Sequence, residues 1–201
     1  MRLPSPIVVL ALCLVCPGTA ARAAGHWAPA VSAFLFDPPG DDVYVSPIAS
    51  ADRRSLHLEA RYNYEDLDTG SLFAGRSFAT GDRLIVTATP MLGVVIGNTD
   101  GVAPGLELDV SWNELEWYSE LEWVFADDDF FYAWIEATVA PVSWLRVGIA
   151  GQRTRAYETG LDMQRGPMID VPYGHWTVGA YWFNPDRDED DLFVFAAGYE
   201  W

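Results

Sequence analysis

Residues 56–64 read Leu56-His57-Leu58-Glu59-Ala60-Arg61-Tyr62-Asn63-Tyr64. Successive side chains of an extended chain point to opposite faces. Leu56, Leu58, Ala60, Tyr62 and Tyr64 therefore share one face, and His57, Glu59, Arg61 and Asn63 the other. A helix would scatter the same residues around its axis. The stretch is a strand with one apolar and one charged face. The same alternation recurs at 106–112, 117–125, 131–139, 145–151, 175–183 and 193–201. In the 131–139 segment, for example, Phe131, Ala133, Ile135, Ala137 and Val139 oppose Tyr132, Trp134, Glu136 and Thr138. Three further segments are less regular but still extended. Residues 71–79 and 161–171 have mixed faces, and Arg165-Gly166-Pro167 suggests a bulge. Residues 82–96 are long and apolar, with Pro90 removing one ladder donor. The chain reads as ten antiparallel strands.

Composition narrows the class. The 201 residues carry 12 Lys+Arg, every one of them Arg, against 29 Asp+Glu, for a net charge of −17. A nucleic-acid partner is excluded, because a phosphate backbone needs clustered cations. Half the residues are hydrophobic and 14% aromatic, too apolar for a disordered acidic chain. Yet beyond the first twenty residues no apolar run approaches the roughly 20 residues of a membrane helix. At the N-terminus, Arg2, the apolar run Ile7–Cys16 and Ala21-Arg22-Ala23 together fit an exported signal peptide over residues 1–23. Its removal would take both cysteines with it.

The connections are of two kinds. Short ones lie near Thr80-Gly81, Asn113–Glu116, Pro141-Val142 and Pro172–Gly174. Longer or acidic ones lie at 66–70, 97–105, 126–129, 156–160 and 184–190. They alternate along the chain, so one end of the sheet collects the tight turns and the other the long loops. In hydrocarbon only helices and closed barrels satisfy every backbone group. Even strand number, period-two apolar faces, aromatic strand ends and unequal loops all point to an all-β, antiparallel, up-and-down transmembrane barrel. Ten strands is the count the segments support, with eight or twelve as its alternatives.

The ending Phe193-Val194-Phe195-Ala196-Ala197-Gly198-Tyr199-Glu200-Trp201 resembles the C-terminal assembly signal of outer-membrane β-barrel proteins of Gram-negative bacteria. Phe193, Phe195, Tyr199 and Trp201 carry the resemblance, Trp201 standing where that signal usually ends in Phe. The resemblance implies residence in outer-membrane lipid and recognition by the barrel-assembly machinery. It implies no activity.

On this reading residues 55–201 form the barrel, with Glu59, Arg61, Glu107, Asp109, Glu120, Glu122, Glu136 and Arg146 facing the lumen. Buried charges of opposite sign would pair. A charged, side-chain-filled interior is then either structural or a narrow, cation-preferring conduit. Residues 24–54 show no sustained periodicity and are expected to be a periplasmic tail or a plug. The alternative to a membrane barrel is a soluble periplasmic binding barrel with its apolar face inside. That would bury Trp112, Trp117, Trp123, Trp176, Trp182 and Trp201 with their indole N–H groups unsatisfied. An outer-membrane hydrolase is the weaker alternative: no GxSxG, HExxH or paired-His spacing occurs. Beyond His26, His57 and His175 fall at the short-turn end, away from where substrate would arrive. No catalytic residue, cofactor or metal site is expected. The acidic loops containing Asp66, Asp68, Asp100, Asp127–Asp129 and Asp186–Asp191 offer oxygen ligands suited to divalent cations.

Overall fold

A computed structural model describes residues 25–156, 163–187 and 191–201. The expected signal peptide and its cleavage site lie outside the described residues. Thirteen strands form one antiparallel sheet: β1 (Ala28–Asp37), β2 (Tyr44–Arg53), β3 (Leu56–Tyr62), β4 (Thr69–Arg76), β5 (Phe78–Thr80), β6 (Leu84–Gly97), β7 (Gly101–Trp112), β8 (Leu115–Val124), β9 (Phe130–Val142), β10 (Leu145–Arg153), β11 (Gln164–Tyr173), β12 (Trp176–Phe183) and β13 (Leu192–Glu200). Apart from β4 and β5, each strand pairs with the next in sequence; β4 pairs with β6 instead, and β13 returns to pair with β1. The sheet closes on itself. Short β5 sits outside the ring against the overhanging end of β6, so twelve strands make up the wall.

Twelve, not ten, is the observed count. The two additional strands are β1 and β2, in the stretch expected to be a tail or plug, so the barrel begins at Ala28 and not near residue 55. The reason lies in what these strands turn inward. In β1 the buried positions are Ala28, Ala30, Ser32, Phe34 and Phe36. Both faces are thus largely apolar, and the period of two disappears from the sequence. In β2 the inward residues Ser46, Ile48, Ser50 and Asp52 oppose Val45, Pro47, Ala49 and Ala51, a weak contrast of small side chains.

The expected bulge at 165–167 is absent from the β10–β11 ladder, whose register runs unbroken through Gly151↔Arg165, Ala150↔Gly166 and Ile149↔Pro167. Gly166 accommodates the site instead. A Cβ there would lie 1.8 Å from the Trp182 carbonyl oxygen, so its missing side chain admits the next strand's backbone. The register irregularity falls between β9 and β10, at Leu145/Val147.

Every tight two-residue turn lies at one end of the barrel: Arg54-Ser55, Asn113-Glu114, Ser143-Trp144 and Gly174-His175. Asn113 and Gly174 adopt positive φ (54° and 63°), a conformation asparagine and glycine tolerate well. The opposite end carries the six-residue loop 38–43, the loop 63–68 and the segment 125–129, and β10 and β12 also end there.

Exposure decides which face is outside. Trp123, Ile149 and Val178 are 47%, 65% and 51% exposed, whereas Glu122 and Glu136 are 1% and 4% exposed. Leucine, isoleucine and valine at Leu72, Leu92, Ile96, Leu106, Ile169 and Val171 are likewise exposed around the wall. A continuous apolar belt of this kind is incompatible with water and suited to hydrocarbon. Trp27, Trp112, Trp144, Tyr173, Trp176 and Trp201 ring the short-turn end. Near the other end lie Tyr62, Trp123, Phe125 and a stacked Trp182–Phe193 pair 5.7 Å apart. Two aromatic girdles bounding an aliphatic band mark the two membrane interfaces. The inverse, soluble arrangement is not the one this chain adopts.

Candidate functional site

The same alternation that sends apolar side chains outward sends the charged ones into the lumen. Seven of the eight residues expected there are buried: Glu59, Arg61, Glu107, Glu120, Glu122, Glu136 and Arg146. Asp109, close to the short-turn end of β7, is half-buried. They do not form one network. The fold gathers them into two clusters and adds residues that the sequence reading left out.

The larger cluster centres on Arg61 in β3. Its Nε donates to Glu59 Oε1, and one terminal nitrogen lies 3.2 Å from Glu65 Oε1 and 2.5 Å from both Glu120 Oε1 and Glu122 Oε1. The guanidinium also packs 4.3 Å from the Phe73 ring centroid and 4.9 Å from that of Tyr64. Such stacking suits a planar, weakly hydrated cation. Ser71 Oγ donates to Glu65 (2.7 Å), and the Tyr64 and Tyr118 hydroxyls donate to Glu120 Oε2 at 3.0 and 3.3 Å. Phe73 in turn rests on Gly93 of β6, where an added Cβ would fall 2.4 Å from the ring. Gly93→Ala is therefore expected to shift Phe73 and loosen its contact with Arg61. Overpacking of this kind costs about 1–3 kcal/mol, measurable as a lower urea midpoint with an unchanged slope.

The second cluster lies nearer the tight turns. Arg146 Nε is 3.0 Å from Glu116 Oε2, its NH1 is 3.3 Å from Asp170 Oδ2, and its NH2 donates to Thr138 Oγ1 at 3.3 Å. Glu136 is held separately, accepting from Trp134 Nε1 (2.8 Å) and the Tyr181 hydroxyl (2.9 Å). Gly179 makes room for Asp170: a Cβ there would stand 2.2 Å from its Oδ1.

Four lumenal acids escaped the sequence reading, each for a local reason. Asp52 belongs to β2, Glu116 was read as part of a turn, and Asp170 sits in a segment of mixed faces. Glu65 follows the strand. Tyr64, expected on the lipid face in continuation of β3, points inward instead. Here β3 ends at Tyr62 and Asn63 takes a positive φ of 54°, folding the chain over the lumen. Asn63 Oδ1 accepts from the Asp68 amide (2.8 Å) and its own amide donates to Thr69 O (2.9 Å), which closes the loop. Thr154 Oγ1 then donates to Tyr64 O (2.9 Å), and the Arg155 amide donates to Glu65 O (3.1 Å). Tyr64 and Tyr132 rings meet at 5.0 Å. This inward loop, held to the segment after β10, bridges the long-loop mouth.

The opposite side of the interior is aromatic. Phe34 of β1 meets Trp134 of β9 edge-on at 5.4 Å, and Trp134 meets Tyr181 and Phe183 of β12 at 5.3 and 5.9 Å. β1 and β9 are not neighbours in the ring, so this contact crosses the lumen. Aromatic bulk and the ion network together fill the cross-section.

No protein-family model matches the sequence, and no curated protein does. Solved structures do. The KdgM porin in complex with disordered oligogalacturonate aligns over 86% of this chain and 99% of its own, with a TM-score of 0.66 at 9% identity. The Acinetobacter baumannii outer membrane protein Omp33 aligns over 87% and 98%, with a TM-score of 0.52 at 13% identity. The chain has the fold of bacterial outer-membrane β-barrels.

As an outer-membrane barrel fold its electrostatics are lopsided. Among the described residues nine carboxylates are buried: Asp52, Glu59, Glu65, Glu107, Glu116, Glu120, Glu122, Glu136 and Asp170. They face two buried arginines, Arg61 and Arg146, and one histidine, His57. Glu107 and Glu120 are direct cross-strand partners, a pairing of like charges that weakens a sheet. The acidic loops differ. Asp100 accepts from the Gly97 amide (3.0 Å) and Asp129 from the Ala126 amide (3.0 Å), each capping its own turn, while Asp66 accepts from Thr99 Oγ1 (2.7 Å) and ties two neighbouring loops together. Asp188, Glu189 and Asp190 lie outside the described residues. The terminal residues Phe193, Phe195 and Trp201 are exposed on the outer wall, with Tyr199 half-buried between Trp176 and Trp201.

Proposed function

We propose that this protein is an integral protein of the bacterial outer membrane, non-enzymatic, whose narrow lumen prefers cations. The observation that carries the reading is the excess of buried carboxylates over arginines, with Glu107 set directly against Glu120. Selection for stability alone would not keep such a pair facing across a ladder. Rings of carboxylates are the device by which pores select cations. The KdgM structure is a complex with oligogalacturonate, a polyanion. A lumen with nine buried carboxylates would repel that class of ligand, so its cargo is small and positive.

The filled cross-section implies low conductance. Planar bilayers holding the purified protein in a salt gradient are expected to show small single-channel steps with a cation-selective reversal potential. Glu107→Gln together with Glu120→Gln should lower the cation-to-anion permeability ratio several-fold. Bilayers that stay silent would overturn the conduit and leave a closed, structural barrel. Phe193, Phe195, Tyr199 and Trp201 are proposed as the strand that the assembly machinery recognises. Truncation before Phe193 should prevent insertion into the outer membrane in cells.

A further inference from the structure

At the edge of the Arg61 cluster, His57, Glu59 and Glu107 turn donor atoms towards one another without satisfying them. His57 Nε2 lies 3.8 Å from Glu59 Oε2 and 4.0 Å from Glu107 Oε1, too far for hydrogen bonds. Nε2 of His57 and Oε2 of Glu59 have no hydrogen-bond partner, and all three residues are buried. Leaving such groups without partners is costly, so an arrangement of this kind asks for a guest.

The geometry points to a divalent transition-metal site of the zinc type, formed by His57 Nε2 and one carboxylate oxygen each from Glu59 and Glu107. The three donor atoms lie within 4.8 Å of one another. With His57 Nε2 3.8 and 4.0 Å from the two oxygens and the third separation no more than 4.8 Å, the point equidistant from all three lies at most about 2.5 Å from each, within a small adjustment of Zn–N and Zn–O bonds. One imidazole and two carboxylates form a borderline donor set that suits Zn²⁺ better than the all-oxygen shell Ca²⁺ prefers.

The surroundings are those of a supported ligand. Asp52 Oδ1 lies 3.2 Å from His57 Nδ1 and accepts its proton, a tautomer that aims the Nε2 lone pair at the two carboxylates. Glu59 is steadied through its other oxygen by Arg61 Nε, while the Tyr118 hydroxyl, which donates to Glu120, leaves Glu107 Oε1 3.5 Å away without its proton. His57, second in β3 from the tight turn, places the site near the short-turn mouth. Glu59 and Glu107 bring two negative charges, and Arg61 next to Glu59 offsets one of them. Asp52, against the far side of the His57 ring, adds a third negative charge, so two remain for a 2+ ion to balance.

The site does not depend on the conduit reading, since a barrel silent in bilayers would still bind metal there. The test is isothermal titration of Zn²⁺ into the full chain refolded in detergent micelles, with β content checked by circular dichroism. Wild type is expected to bind one equivalent with a site lost in His57→Gln and weakened at least tenfold in Glu107→Gln. Asp52→Asn should weaken it tenfold to a hundredfold, as the loss of a histidine's supporting carboxylate does. The loop variant Asp127→Asn/Asp128→Asn/Asp129→Asn should bind as wild type does. Absence of binding to wild type, or affinity that survives His57→Gln, would overturn the assignment. If His57→Gln fails to fold, zinc-edge X-ray absorption on wild type decides instead: one imidazole nitrogen is expected, and an all-oxygen shell would refute the site.

Discussion

Arg61→Ala is expected to destabilise the barrel by about 3–5 kcal/mol, the cost of removing one partner from a buried ion cluster. Glu59, Glu65, Glu120 and Glu122 all converge on this single guanidinium. Without it four carboxylates share a buried space, while Arg146 serves Glu116 and Asp170 in the other cluster and Arg155 lies over the Phe130 ring. The stacking on Phe73 and Tyr64 is lost in the same step. Urea unfolding from lipid vesicles would measure the difference. Adding Glu120→Gln and Glu122→Gln to Arg61→Ala should recover part of the loss, giving a coupling that distant sites would not show. A loss below about 1 kcal/mol would mean that water, not the arginine, neutralises these acids in the lumen.

Ile149→Arg is the second large effect, and it tests the sidedness of the wall. Ile149 is the fifth residue of nine in β10, halfway between the two girdles, and at 65% it is exposed on the wall. An arginine at the bilayer midplane of a transmembrane barrel costs about 2–4 kcal/mol. On a water-facing sheet the same change would stay within about 0.5 kcal/mol. Folding into phospholipid vesicles should therefore show the large penalty, while Tyr173→Arg, placed at the short-turn interface and exposed, should cost about 0–1 kcal/mol. Equal and small effects at both positions would contradict a lipid-facing belt.

How much of this was legible depended on contrast between faces. In β3, apolar and charged residues alternate without exception, and His57, Glu59 and Arg61 could be placed inward by position alone. In β1 the inward residues are Phe34 and Phe36, chemically indistinguishable from residues that face lipid, so nothing in the pattern announced a strand. That ambiguity, together with the weak contrast of small side chains in β2, changed the strand count from ten to twelve. Tyr64 was misplaced because parity holds only while the backbone stays extended, and the positive φ at Asn63 ends it. Asp52 and Glu65 went unseen for the same two reasons, one on a strand without contrast and one beyond a strand's end.

Alternation, aromatic termini, unequal loops and the strong surplus of acid over arginine are local or compositional properties. They were enough to determine a closed antiparallel wall with apolar side chains outward and carboxylates within. Which carboxylates meet which cation is a property of strands distant in sequence: Arg61 reaches Glu122 across 61 positions, and the His57 site joins β3 to β7. Curvature of the closed sheet brings those groups together. Only the tertiary structure could decide that one arginine gathers four acids, and that one of them, Glu59, turns its second oxygen towards His57 and Glu107.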